Sequence, residues 1–275
     1  MLWGGIAICN QTVYNCLKTT YRRLSMNEYL RNLNRIEFVV TSACTGKCKH
    51  CSQGDHRGTE NINKVYAADA VYKIANEYNI KSVMTFGGEA LLYPETVCEI
   101  HRAAKEMNIP KRQLITNSFF SNDYEKIYQI GQALIENGVN EILISADTFH
   151  QETIPLEYVI SFAKAVNHSD ITLKLNPAWL LSPVHQNAYN DKTREILKVF
   201  TSMGIEIGEG NVIFPSGNAL KYFSDYFDLT KENTNPYQQN PRDIRAICFS
   251  ANGDILGSNL YRQDISEILS SYKPE

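Results

Sequence analysis

The chain has 275 residues, 43% of them hydrophobic and 21% charged, with a formal net charge of -3. That is enough apolar material for one sizeable core, and α/β barrels run to this length as single domains. The absence of a basic stripe speaks against a nucleic-acid partner, and no apolar stretch is long enough to span a bilayer. The start of the chain lacks a basic n-region and a clear cleavage site. Together with an odd number of cysteines, seven, this points to a reducing cytoplasmic setting.

Taken in chain order, the apolar patterning predicts a strand at 36–40, followed by a short loop carrying Cys44, Cys48 and Cys51. A helix follows over 65–79, with Val71, Ile74, Ala75 and Tyr78 on one face. Residues 82–86 read as a buried strand ending in Gly87, Gly88 and Glu89. Residues 94–107 read as a helix with Pro94 in its first turn, and 113–116 as a short strand. Asn122 and Glu125 are spaced as a capping pair ahead of apolar positions Tyr124, Ile127, Tyr128, Leu134 and Ile135. Then come a strand at 141–145, a helix at 155–166, a strand at 171–175, a helix at 191–203, and a sixth strand within 205–214 interrupted by Gly208 and Gly210. The polar stretch 229–243 reads as an exposed loop. Residues 246–256 read as a hairpin turning at Asn252 and Gly253, placed to cap the open side of the fold.

Regular β–α alternation implies parallel strands with right-handed crossovers. Six such units make an α/β fold, a partial (β/α)6 TIM-like barrel with a small C-terminal hairpin/helix extension. The expected organisation is an N-terminal extension over 1–35, the partial barrel over 36–219, and a capping extension over 220–275 that belongs to the same structural unit. Reactive residues in such barrels sit at the C-terminal ends of the strands, and each polar motif noted here falls at such an end.

The C-x3-C-x2-C spacing of Cys44, Cys48 and Cys51 carries the most chemistry. Three thiolates on one loop can bind three irons of a [4Fe–4S] cluster, which normally takes four cysteines. The next cysteine is Cys98, so one iron is left open for a small molecule. A zinc site or three unrelated buried thiols is the competing reading, although zinc motifs usually come as two Cys/His pairs.

The cysteine spacing resembles the signature of the radical S-adenosylmethionine (SAM) superfamily, and the run from Thr85 to Pro94 resembles that family's glycine-glycine-glutamate loop, with Ala90 where proline usually follows. The resemblance implies a [4Fe–4S] cluster on the three cysteines. It also implies SAM on the open iron, whose reductive cleavage yields a 5'-deoxyadenosyl radical that abstracts hydrogen from a substrate. An electron donor such as flavodoxin or ferredoxin is implied as well.

On the same resemblance, Gly87, Gly88 and Glu89 hold the methionyl amino group, and His50 occupies the position packed near adenine. Asn117, in a segment like the family's Thr-Asn-Gly, is expected to bond ribose or the SAM carboxylate; Ser145 and Asp147 match its Ser-x-Asp step. Alternation on the fifth strand puts Leu173 and Leu175 under helices and leaves Lys174 and Asn176 in the lumen, where they are candidates for binding a carboxylate. His150 reads as a supporting or surface residue. Residues 215–219 resemble a Pro-x-Gly-Arg-Ala segment of peptide-modifying members, with Asn218 in place of arginine.

The leading expectation is therefore a radical SAM enzyme acting on a peptide or protein. Resemblance of 145–149 and 174–176 to viperin-type nucleotide dehydratases keeps a nucleotide or other small-molecule substrate as an alternative, and a non-catalytic iron–sulfur sensor is a third. Cys248 is a candidate hydrogen donor near the barrel mouth. Cys9, Cys16 and Cys248 are the residues available for an auxiliary cluster, and free cysteines are more often inert and buried.

Overall fold

The computed structural model describes residues 26–54, 58–167, 170–230 and 238–275. Its centre is a seven-stranded sheet in which every pairing is parallel. Five strands carry the framework: β1 (Arg35–Val39), β2 (Ser82–Phe86), β3 (Lys111–Thr116), β4 (Glu141–Ile144) and β5 (Thr172–Leu175). Five helices connect or follow them: α1 (Lys64–Glu77), α2 (Pro94–Glu106), α3 (Tyr124–Glu136), α4 (Leu156–Val166) and α5 (Ala188–Thr201). The sheet is open, with β7 (Glu206–Ile207) and β9 (Ala246–Phe249) at its edges in the order β7-β5-β4-β3-β2-β1-β9, so this is a partial barrel that does not close.

Side-chain alternation divides the sheet cleanly. Phe38, Thr85, Leu114, Ile142 and Leu173 form one cross-strand row, and all are buried. This row faces the helices: Phe38 packs with Val71 and Ile74 of α1, and Leu114, Ile142 and Leu173 pack with Ile127 of α3 and Phe162 of α4. Ile115, Leu143 and Lys174 form a row on the opposite face. A side-chain period of two makes this split unavoidable once the helices choose a face.

Helix starts follow ordinary capping chemistry. Asn63 accepts from the backbone N–H groups of Val65 and Tyr66 at the head of α1. At α3 the cap is Asp123, which accepts from Glu125 and Lys126, not the expected Asn122. With the helix starting one turn position later, Tyr124 and Tyr128 face outward (55% and 52% exposed) while Ile127, Ile130 and Leu134 are buried.

The sixth strand splits. Glu206–Ile207 (β7) pairs with β5, whereas Asn211–Val212 (β8) pairs with a new short strand, Ala178–Trp179 (β6). Gly210, at φ +72°, makes the break possible: a Cβ there would lie 2.2 Å from the Pro177 carbonyl oxygen.

The C-terminal expectation needs a larger correction. Residues Ala246–Phe249 (β9) do not form a hairpin arm. They pair parallel with β1, Cys248 opposite Glu37, and make the seventh strand. A turn does occur at Asn252–Gly253, and the short antiparallel pair Asp254–Ile255 (β10) with Ser258–Asn259 (β11) follows it. Helix Ile265–Ser271 (α7) then packs Ile265, Ile268 and Leu269 into the core shared with α1. Apolar side chains of β9 (Ile247, Phe249) have more to gain buried against Phe38 and Leu33 than in a solvated hairpin; Phe249 stacks on Phe38 with centroids 4.8 Å apart. The tail therefore docks at the β1 edge as the seventh strand. Among the described residues no helix is long and apolar enough to cross a membrane.

Behind β2, His101 of α2 is fully buried, its Nε2 2.9 Å from the Thr85 hydroxyl and its Nδ1 unpartnered. Burial, aided by the Arg112 charge, pushes its pKa down to about 3. The unfolded chain takes up this proton near pH 6.5, so below that pH the unfolded state binds more protons and stability falls toward pH 3, while above it the group contributes nothing further to pH dependence. Thermal melts from pH 7 to pH 4 should show wild-type Tm falling more steeply than that of His101→Gln; equal slopes would count against this role.

Candidate active site

The cysteine loop lies across the C-terminal ends of β1 and β2. Pairing between these strands continues past their formal ends: Val40 N–H donates to Phe86 O (2.7 Å), Gly88 N–H to Thr41 O (2.8 Å) and Glu89 N–H to Ala43 O (2.8 Å). The two glycines are needed for this approach. A Cβ at Gly87 would lie 2.5 Å from Thr41 O, and one at Gly88 would lie 2.1 Å from Ala43 O and 3.0 Å from the Cys44 Cβ. Thus Gly87 and Gly88 seat the loop as well as facing the cavity.

That cavity, about 160 Å³, is lined by Cys44, Cys48 and Cys51 together with His50, Asn117 and Ser145. Gly87, Gly88, Gly46, Phe86, Ile115 and His150 also line it. Burial pushes the Cys44 thiol up to about 11 and the Cys48 thiol higher still, and the carboxylates of Glu89 and Asp147 push them the same way. Two buried thiols with raised pKa values ionise readily only when a metal supplies positive charge. The donor set therefore fits a cluster held by three thiolates, with the adjoining space left for a ligand.

Glu89 faces away from the cavity. Its carboxylate is fully buried and accepts from Thr116 Oγ1 (2.7 Å), Asn117 N–H (2.7 Å) and Leu91 N–H (2.9 Å). Burial raises its pKa against the pull of these neutral donors. It ties the end of β2 to the end of β3. Asn117 is thereby fixed, with its Oδ1 accepting from Phe119 N–H and its Nδ2 lying 3.6 Å from Cys44 Sγ and 3.3 Å from Thr45 Oγ1.

Asp147 has a similar place after β4. It too is fully buried and outside the cavity lining. It accepts from the N–H groups of Phe149, His150 and Ala178 and lies 2.7 Å from His150 Nδ1. Burial opposes its charge, but His150 and these donors outweigh burial and hold it ionised well below the usual range. His150, expected as a supporting or surface residue, lines the cavity, and its ring packs edge-on to His50 at 4.6 Å. His50 also lies 5.2 Å from the Phe149 ring. The turn after β4 grips the cysteine loop a second time, through Lys47 N–H to Thr153 Oγ1 (3.1 Å) and Lys49 with Glu152 (3.1 Å).

Three other residues fall elsewhere. Lys174 is on the helix-free face, but its ammonium pairs with Glu206 at 2.8 Å, and neither it nor Asn176 lines the cavity. Cys248 is not at the mouth: its partner Glu37 shares a row with Met84 and Gln113, deeper in the sheet than Phe86 and Ile115, which do line the cavity. The reason is that its segment joins the sheet as a strand. Cys9 and Cys16 lie outside the described residues.

Residues 38–175, half of the chain, match the Radical SAM superfamily. The chain belongs to that superfamily. Its members use a [4Fe–4S] cluster and SAM. Among curated relatives, a GTP 3',8-cyclase of Clostridium perfringens (strain SM101 / Type A) is 27% identical over 129 residues, 46% of this chain and 38% of that one. A probable GTP 3',8-cyclase of Saccharolobus islandicus (strain L.S.2.15) is 24% identical over 210 residues, 74% of this chain and 65% of that one. The matches thus span less than two thirds of these relatives. Among solved structures, Streptococcus suis SuiB bound to S-adenosylmethionine superposes with a TM-score of 0.58 at 13% identity, covering 94% of this chain and 71% of that one. Native anSMEcpe with bound AdoMet gives 0.54 at 13% identity, covering 86% and 80%. At these identities the likeness is one of fold.

Two substitutions probe the seat of the radical SAM site. Gly88→Ala should cut the iron bound after anaerobic reconstitution to less than half, with the circular dichroism spectrum unchanged. Ser118 stands at φ +64° with its hydroxyl buried and unpartnered. A left-handed conformation costs a non-glycine residue roughly 1–2 kcal/mol, so Ser118→Gly should raise stability by about 1 kcal/mol; a lower Tm would contradict this.

Proposed function

We propose that this protein is a radical SAM enzyme that abstracts a hydrogen atom from a peptide or protein substrate. Cys44, Cys48 and Cys51 would hold the [4Fe–4S] cluster, which supplies reductive cleavage of SAM to the 5'-deoxyadenosyl radical. The chain's own residues bind and orient. Gly87 and Gly88 leave room for close approach, Asn117 and Ser145 offer polar groups for the polar parts of SAM, and His50 offers a ring face beside the space for its base. A small electron-transfer protein of the flavodoxin or ferredoxin kind would be the reductant.

One observation favours a peptide over a nucleotide triphosphate. Lys174, in the same cross-strand row as the cavity-lining Ile115, is already paired with Glu206. A triphosphate would have to break that pair, whereas the dispersed dipoles of a peptide backbone need not. The likeness to GTP 3',8-cyclases supports the second reading, a nucleotide substrate.

The test is anaerobic reconstitution followed by reduction in the presence of SAM. Wild-type protein should release 5'-deoxyadenosine, and Cys44→Ala should reduce this at least a hundredfold. Peptides encoded beside the gene should accelerate release and GTP should not; acceleration by GTP alone would transfer the assignment to nucleotide chemistry.

A further inference from the structure

The segment following β8 was notable for carrying Asn218 where the motif it resembles has arginine. It does not reach into the cavity wall formed by the strand ends. Instead it lies against the back of the cysteine loop. Asn218 N–H donates to Cys51 O (2.9 Å), and Asn218 Nδ2 donates to Cys48 O (3.3 Å). The Cys48 carbonyl also accepts from Cys51 N–H (3.2 Å). One residue thus holds the backbone of two cluster-ligand positions at both ends of the Cys48–Cys51 turn. Asn218 is 9% exposed, so this amide is directed at the loop and not at water.

Gly217 permits the contact. It sits at φ +54°, and a Cβ there would lie 2.5 Å from Ser52 O and 2.6 Å from Gly54 N. The following helix, Gly217–Phe223 (α6), is anchored at its other end by Phe223, which packs edge-on to Phe149 and Tyr189. Phe149 follows Asp147 in the turn after β4. The Cys48–Cys51 turn is therefore held between two elements that are themselves packed on each other.

We propose that Asn218 is a positioning residue for the cluster: its side-chain amide and backbone N–H set the conformation of the Cys48–Cys51 turn, so that in this chain residues 215–219 serve the metal ligands and not the substrate. Arginine cannot make the same grip, because a guanidinium in this buried position would overshoot a carbonyl one short side chain away and would bring a charge into the interior. The proposal adds to the reading of Cys44, Cys48 and Cys51 as cluster ligands, but its first test does not depend on a cluster.

That test is hydrogen exchange by mass spectrometry on the metal-free protein. Asn218→Ala and the near-isosteric Asn218→Asp both remove the Nδ2 donor and keep the backbone bond. Each should exchange roughly fivefold faster over residues 46–54, as the loss of one hydrogen bond implies, with β3 and α4 unchanged. The reconstituted variants should also lose iron to a chelator several-fold faster than wild type, and Asn218→Gln should recover part of the difference. Unchanged exchange over 46–54 in Asn218→Asp would overturn the proposal whatever the iron content. If the wild-type protein bound no cluster while the exchange effect held, the cluster reading would fail and the clamp would stand as a structural one.

Discussion

The closest constraint in this molecule is the contact between two backbones. Residues 41–44 lie on Gly87 and Gly88 with no space for a side chain between them. Hydrogen bonds on either side of the contact keep the separation fixed. Because Cys44 follows directly from this seat, the Cα and Cβ from which the first thiol projects are set by main-chain geometry. The requirement for glycine here is steric, so the motif is legible as a close approach even without a ligand to approach. It also means that the same two residues serve the loop on one side and the cavity on the other.

Two buried carboxylates then hold the strand ends around that seat, and they reach opposite electrostatic solutions. Glu89 is surrounded by neutral donors, a hydroxyl and two N–H groups, which do not compensate burial, and its pKa rises. Asp147 gathers three N–H groups and an imidazole, and stays ionised. Buried acids are costly unless their oxygens are satisfied. Here the satisfaction is local: each carboxylate binds the turn that follows its own strand or the neighbouring one. The outcome is a set of loops whose relative placement is determined by short hydrogen bonds. Asn117 and His150 are brought to the cavity as consequences of this, each positioned by its acid.

Much of this was readable from residue order. Strand 82–86 falls where the apolar run Ser82–Phe86 places it, and helices α1, α2 and α4 fall within two residues of their expected bounds, because core-facing periodicity and Pro or Asn at the starts are local signals. The helix-facing leucines of β5 followed from a period of two. Four things were not readable. The cap at Asp123 competes with Asn122 one residue away, and spacing alone does not choose. The interruption of the sixth strand is legible in Gly208 and Gly210, but the pairing of its second half with β6 is not, being a contact between distant residues that includes the Trp179 indole N–H to Glu209 O at 2.9 Å. The parallel docking of β9 on β1 is a pairing between distant parts of the chain, and a Gly-containing turn after it reads locally as a hairpin. Orientation was the fourth: Glu89 and Asp147 sit in the right loops, yet whether a carboxylate faces a ligand or a backbone depends on which unpaired N–H groups the fold leaves beside it.

The placement of β9 also changes what covers the site. β7 and β9 are the two edges of one open sheet, so the chain leaving β8 must return across the molecule to reach the far edge beside β1. Its first steps are visible in Asn218, which touches the backbone at Cys48 and Cys51, and in Phe223, which packs beside the turn after β4. The crossing therefore begins over the C-terminal rim, at the cysteine loop. A tail folded as a hairpin over the mouth would have left the rim open to solvent at this point and Cys248 close to the radical site. With the tail used as a strand, Cys248 is carried down beside Glu37 and the returning segment backs the loop instead. Edge closure explains the trade: a β1 edge left unpaired would expose a row of backbone donors and acceptors beside Phe38, and pairing it uses the stretch of chain that the hairpin would have required.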